Sequence, residues 1–207
     1  MVKRIAVLGA GGHGHDLRAW IDAAPGLVFD GWFDDKDGQA NIADHVGTDY
    51  VLGVWDPRDR RRLDKGGGAT VIHPTAMVAH HSHLADGVCV GPGAIIDTGC
   101  RIGRHTHIGA GAVLVRTHIG QWCSVGIAAS IEGDVQVGDC VQIGGGARIG
   151  HLSVLGDGCI IGTGAIIPPR TIVPVGTTWV SCKAHEASRR PEPAWTDPSL
   201  DYEVRHR

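Results

Sequence analysis

Ile143-Gly144-Gly145-Gly146-Ala147-Arg148-Ile149-Gly150-His151-Leu152-Ser153-Val154-Leu155-Gly156 carries the pattern that decides the fold. An aliphatic side chain returns every six residues, a glycine follows it, and a small residue stands two positions before the next aliphatic. Followed outward, the aliphatic column begins at Val78, Leu84, Val90, Ile96, Ile102, Ile108 and Leu114. It takes one step of five residues to Ile119, then resumes at six through Val125, Ile131, Val137 and on to Val173. None of these positions is polar. The small column (Val88, Ala94, Cys100, Thr106, Ala112, Cys123, Ala129 and so on to Ala165) stays in phase with it. A repeat this short cannot bury its own apolar side, so successive units must stack. Each hexad therefore predicts one short strand with a turn, and three hexads predict one triangular coil. Residues 71–182 read as a parallel β-helix whose aliphatic and small columns form a continuous core.

The rest of the composition narrows the function. Net charge is −3 over 207 residues, without the basic face expected of a general nucleic-acid binder. The basic run Arg58-Asp59-Arg60-Arg61-Arg62 reads as a solvated helix face, with phosphate binding as the alternative. The 32 glycines, about twice the usual share, show no collagen period and so serve repeated tight turns. No apolar run approaches the length of a membrane span. The opening Met1–Gly9 reads as a first strand rather than a leader, because its apolar run is short and flows into a glycine loop. Six cysteines without a CxxC pair point to reduced, packed thiols and a cytoplasmic protein.

Ahead of the repeats, Ile5-Ala6-Val7-Leu8 predicts a strand. Gly9-Ala10-Gly11-Gly12-His13-Gly14 follows, then a helix with Leu17, Trp20 and Ile21 on one face. Strand, glycine loop and helix together offer backbone N–H groups to a phosphate; the bland alternative is a loop that only lets strand and helix pack closely. Further strands are predicted at Leu27–Phe33, ending in Asp34-Asp35, and at 50–54. Residues 1–70 thus form a truncated, Rossmann-like α/β unit, better sized for a mononucleotide or nucleotide-sugar than for a dinucleotide. Residues 183–207, polar and proline-bearing, read as an extended tail, with Trp195 and Tyr202 available to a neighbouring subunit.

Three features together resemble one family, the sugar acetyltransferases of sialic acid, bacillosamine and perosamine pathways. They are the Gly9–Gly14 loop, the Asp34-Asp35 strand end, and Val71-Ile72-His73-Pro74-Thr75-Ala76 opening the repeats. The resemblance covers residues 3–180. It implies a left-handed sense for the β-helix, a homotrimer, and acetyl-CoA as acyl donor in a groove between adjacent β-helices, Gly144 and Gly162 being the residues expected to meet it. It also implies a nucleotide-sugar substrate held by Gly11, Gly12, His13, Gly14, Asp34 and Asp35. Its chemistry is direct transfer: a histidine takes a proton from the sugar amine or hydroxyl as that group attacks the thioester, and backbone N–H groups steady the oxyanion.

The chain departs from the family at the catalytic turn. Where the family keeps a His–acid pair, this sequence reads Leu114-Val115-Arg116-Thr117-His118-Ile119-Gly120, at the single five-residue step. Thr117 falls in the small inward slot and His118 faces outward. Arg116 occupies what is left of the turn and cannot act as a base at neutral pH. Ser124 stands where the family has a second histidine, and Val180-Ser181-Cys182-Lys183-Ala184 replaces the usual Gly-x-Pro-Ala-Lys segment. His118 is the first choice for the base. His107, outward one coil below Ser124, and His151, two coils above the lost turn, are the alternatives. A zinc hydratase on this scaffold would pair two histidines five residues apart; no such pair occurs, and no metal is expected. The competing reading is a catalytically impaired nucleotide-sugar-binding or assembly subunit of the same fold.

Overall fold

The computed structural model describes residues 2–35, 42 and 49–180. Strand β1 (Lys3–Leu8) runs into helix α1 (Gly12–Ala23), and the chain returns in β2 (Leu27–Phe33). Strand β3 (Tyr50–Leu52) lies on the other side of β1, giving a small all-parallel sheet ordered β2-β1-β3. Helix α2 (Pro57–Leu63) follows, with the Asp56 side chain accepting from the Arg58 and Asp59 N–H groups at its N-terminus. Ile5, Val7, Leu17, Ile21 and Val51 are fully buried between sheet and helix, as the one-faced pattern of α1 requires. Residues 36–41 and 43–48, between β2 and β3, and the tail at 183–207 lie outside the described residues.

From Val71 onward the chain is a parallel β-solenoid of about six turns, built of two-residue strands in three sheets of seven, six and six. The first face stacks Val71–Ile72, Cys89–Val90, His107–Ile108, Ser124–Val125, Gln142–Ile143, Ile160–Ile161 and Thr178–Trp179. The second runs from Met77–Val78 to Ile166–Ile167, and the third from His83–Leu84 through His118–Ile119 to Ile172–Val173. Coils pair in register: Cys89 lies opposite His107 and His107 opposite Ser124. The aliphatic and small columns form one core, with Val90, Ile102, Cys123, Ile143 and Ala165 all at or below 1% exposure. The five cysteines among the described residues are free thiols, four of them buried.

Glycines at the corners are dictated by stacking. A side chain at Gly144 would lie 2.6 Å from the Gly162 carbonyl carbon of the next coil, closer than real carbons approach. Other corners use the left-handed backbone: Gly99 (φ 75°), Arg116 (φ 42°), Asp134 (φ 62°) and Leu152 (φ 59°) occupy one corner in successive coils. At the five-residue step the missing residue is therefore the one before Arg116, the counterpart of Gly133 and His151. Arg116 closes the gap, its guanidinium packed over Gly133 and 3.4 Å from the Asp134 carboxylate.

Candidate functional site

The glycine loop after β1 forms one wall of a cavity of about 380 Å³. Gly9 adopts φ 108°, which disfavours any side chain, and a Cβ at Gly14 would strike the Gly9 carbonyl oxygen. Close loop-to-helix packing thus accounts for Gly9 and Gly14. At Gly11 the same test meets open space, and Gly11, Gly12 and His13 line the cavity. Helix α1 starts there with no side-chain cap on its first turn, so its amide N–H groups and the positive end of its dipole meet the opening. Opposite stand Asp34, Asp35, Asp56 and Asp59. Asp34 accepts from the Ala10 N–H at 2.6 Å and so shapes the loop, while Asp35 accepts from the Ile42 N–H at 3.1 Å. The cavity combines backbone donors suited to phosphate oxygens with carboxylates suited to hydroxyl or ring N–H groups. Of the expected substrate residues, five line it; Gly14 lies beneath.

The junction between the small sheet and the first solenoid face was not legible in the sequence. Arg60, expected on a solvated helix face, is fully buried. Its guanidinium donates to the carbonyls of Val54, Trp55, His105 and Cys123 and to Ser124 Oγ, and Ser124 Oγ in turn donates to the Trp55 carbonyl. One side chain thereby ties α2 and its preceding loop to two coils. Burial lowers its pKa to about 10, which still leaves it charged at neutral pH.

His107, expected to be an outward and exposed histidine, does point away from the coil, but the N-terminal unit covers it completely. Its Nδ1 lies 2.6 Å from His13 Nε2. Burial, then the nearby Arg60 cation, hold both rings neutral: His13 falls to about 3 and His107 well below the ordinary value. Beside them, His105 is buried with Nε2 3.2 Å from Asp64 Oδ1 but poorly aligned for a hydrogen bond. Asp64 also accepts from Arg104 and from the Trp122 indole. Burial would raise the Asp64 carboxyl, but the Gly66 N–H and these cationic and donor neighbours bring it below its usual value.

His118 lies on the third face, exposed, with Thr117 turned fully inward beside it. It is in register with Arg101 one coil below, and together with His83 these side chains line a groove of about 320 Å³ floored by Gly103 and Gly120. His151 is half-exposed at the corner above the shortened turn, its Nδ1 3.7 Å from Glu132 Oε2. Gly144 and Gly162 follow first-face strands, so the expected acyl-donor residues and His118 occupy different sides of one chain's prism, and the loop cavity adjoins the first face. No cluster of three metal-ligating side chains occurs among the described residues, and no helix there is long and apolar enough to cross a membrane.

No protein-family model matches the chain, and no curated protein matches it by sequence. Solved structures do. The acetyltransferase domain of PglB from Neisseria gonorrhoeae, in complex with acetyl coenzyme A, superposes with a TM-score of 0.77 at 22% identity, over 86% of this chain and 96% of that one. PerB from Caulobacter crescentus, in complex with CoA and GDP-perosamine, gives 0.77 at 24% identity over 86% and 94%. A variant of perosamine N-acetyltransferase from the same organism, with the same two ligands, gives 0.76 at 25% identity over 86% and 93%. The solved structures that this chain resembles are thus hexapeptide-type sugar acetyltransferases, aligned through both the N-terminal unit and the solenoid.

Proposed function

We propose that the chain is an acetyl-CoA-dependent N- or O-acetyltransferase acting on a nucleotide-linked amino sugar. The observation that carries this is the likeness over 86% of the chain to an enzyme bound to CoA and GDP-perosamine, at 25% identity. The solenoid's left-handed sense, the Rossmann-like character of residues 1–70 and a cytoplasmic homotrimer belong to the same proposal. In this reading the nucleotide enters the glycine-loop cavity, its phosphates on the α1 N-terminus and its hydroxyl or ring N–H groups on the carboxylates. The sugar nucleophile attacks the thioester carbonyl, the carbon–sulfur bond breaks, and CoA leaves as its thiol after gaining a proton. His118 takes the proton that the nucleophile loses. Because cavity and His118 lie on different sides of one prism, a neighbouring copy has to bring its groove to this chain's cavity; a monomeric mass by light scattering would contradict that.

A second base candidate is His151, whose Nδ1 lies 3.7 Å from the Glu132 carboxylate. A second function, nucleotide-sugar binding or assembly without transfer, is favoured by Arg116 closing the turn and by Ser124 being tied to Arg60 and Trp55. Thiol release from acetyl-CoA, measured against a panel of UDP-, dTDP- and GDP-linked amino sugars, separates these. Turnover with any acceptor supports transfer, and binding without thiol release supports the second reading.

A further inference from the structure

His13 has two ring nitrogens with different surroundings. Nε2 meets His107 Nδ1 at 2.6 Å across the domain junction, and Nδ1 lies 3.9 Å from Asp16 Oδ2 on the next turn of α1. The ring belongs to the cavity wall and is only 10% exposed. His107 is wholly buried, and its other nitrogen, Nε2, has no hydrogen-bond partner. Two neutral rings sharing one hydrogen bond leave two choices. If His13 Nε2 donates, His107 carries its proton on Nε2, and a buried N–H is left with nothing to donate to. If His107 Nδ1 donates, the orphan is a bare lone pair. Orphaned buried N–H groups are rarer than under-used acceptors, because the desolvated donor loses a full hydrogen bond. The second arrangement also puts the His13 proton on Nδ1, the nitrogen that faces the Asp16 carboxylate.

We propose that His107 is a positioning residue: by donating from Nδ1 to His13 Nε2 it locks His13 in the Nδ1–H form, so that the cavity presents an N–H donor to the oxyanion of a nucleoside diphosphate. The proposal rests on the nucleotide-sugar reading of the cavity. The same interaction fixes the ring plane, edge-on to Trp55 at 5.1 Å and to Trp20 at 6.3 Å, so the donor's direction is set by the solenoid as well as by the helix that carries it. A ring held this way adds a neutral imidazole donor to a wall that carries four carboxylates, backbone N–H groups and the Trp55 side chain. An acceptor on the ligand is then recognised without an added cation beside Arg60.

The test uses the full chain and two independent readouts. Nitrogen-15 NMR of the histidine rings, without any ligand, should find His13 protonated at Nδ1 and bare at Nε2. The reverse tautomer overturns the proposal whatever the protein binds. Affinity for UDP and GDP is then measured by calorimetry for the unmodified chain, His107→Asn and His107→Leu. The Asn amide can donate to His13 Nε2 as the imidazole does, whereas Leu cannot. His107→Asn should keep affinity within about twofold and His107→Leu should lose about five- to tenfold, the scale of one hydrogen bond. Equal affinities for the two variants overturn the positioning role. Should neither nucleotide bind the unmodified chain while the tautomer is as stated, the nucleotide reading fails, and with it His13's contact to a diphosphate. If the Leu variant does not fold, the NMR result on the unmodified chain and the retained affinity of the Asn variant still decide.

Discussion

Removing the Arg60 guanidinium is the sharpest structural perturbation available. Arg60→Met keeps much of the stem and deletes the donors that reach five acceptors. Two acceptors keep another partner: Cys123 O still receives the His107 N–H, and Trp55 O still receives Ser124 Oγ. Among the described residues no other hydrogen bond accounts for the Val54 and His105 carbonyls at this junction, and leaving each unsatisfied costs about 1–3 kcal/mol. Against that stands relief from holding a cation in a buried site with no carboxylate partner, a term of several kcal/mol in unfavourable cases. The hydrogen bonds outweigh it here because all are charge-assisted and short, from 2.8 to 3.1 Å. The net expectation is a loss of about 2–4 kcal/mol. It should concentrate in docking of the N-terminal unit, since Arg60 contacts only loop and helix on one side and two coils on the other. Urea unfolding followed by tryptophan fluorescence should shift to lower denaturant, while the circular dichroism of the solenoid shifts less. Coincident, unshifted transitions within about 0.5 kcal/mol would refute the assignment of Arg60 as the interdomain tie.

Acid should loosen the same junction. His13 has its folded-state pKa near 3, below the unfolded value of 6.5, so the unfolded chain takes up the proton first. The stabilisation is complete above pH 6.5 and is lost as pH falls towards 3, by up to about 1.4 kcal/mol per unit for this group. A His13→Asn, His107→Asn double variant should show a flatter stability profile over that window, and identical profiles would contradict the account. His118→Ala should lower kcat by about 10²–10⁴-fold with little change in acetyl-CoA affinity, and His151→Ala by much less; the opposite ranking would transfer the role to His151. Gly12→Val, which puts a branched side chain on the cavity wall, should weaken nucleotide-sugar binding and leave acetyl-CoA binding nearly intact; calorimetry showing unchanged nucleotide-sugar affinity would remove Gly12 from the site.

The solenoid was readable because one periodicity sets both inside and outside of every coil. Thr117 inward and His118 outward follow from counting back from Ile119, even across the irregular step. What periodicity cannot express is whether something else in the chain covers an outward side chain. His107 and His118 share the same outward phase, yet one is sealed under the N-terminal unit and the other is exposed. Arg60 was misread for a related reason. In a run of arginines on a short helix, composition argues for solvent, and the single position that meets a row of free carbonyls carries no local mark. The glycine loop was legible as a loop, but its glycines divide in function only in three dimensions. Gly9 and Gly14 serve close packing, whereas Gly11 and Gly12 face the cavity. Asp34 lines the cavity, as expected of a substrate residue, and the structure adds a second task, accepting from the Ala10 N–H of the loop.

Acetyl transfer to a nucleotide-linked amino sugar can be read directly by mass spectrometry of the sugar after incubation with isotopically labelled acetyl-CoA. The label should appear on one amino sugar of the UDP-, dTDP- or GDP-linked panel, in equal amount to the CoA thiol released. Thiol release without label on the sugar, or no label on any member of a panel that the protein demonstrably binds, would contradict it.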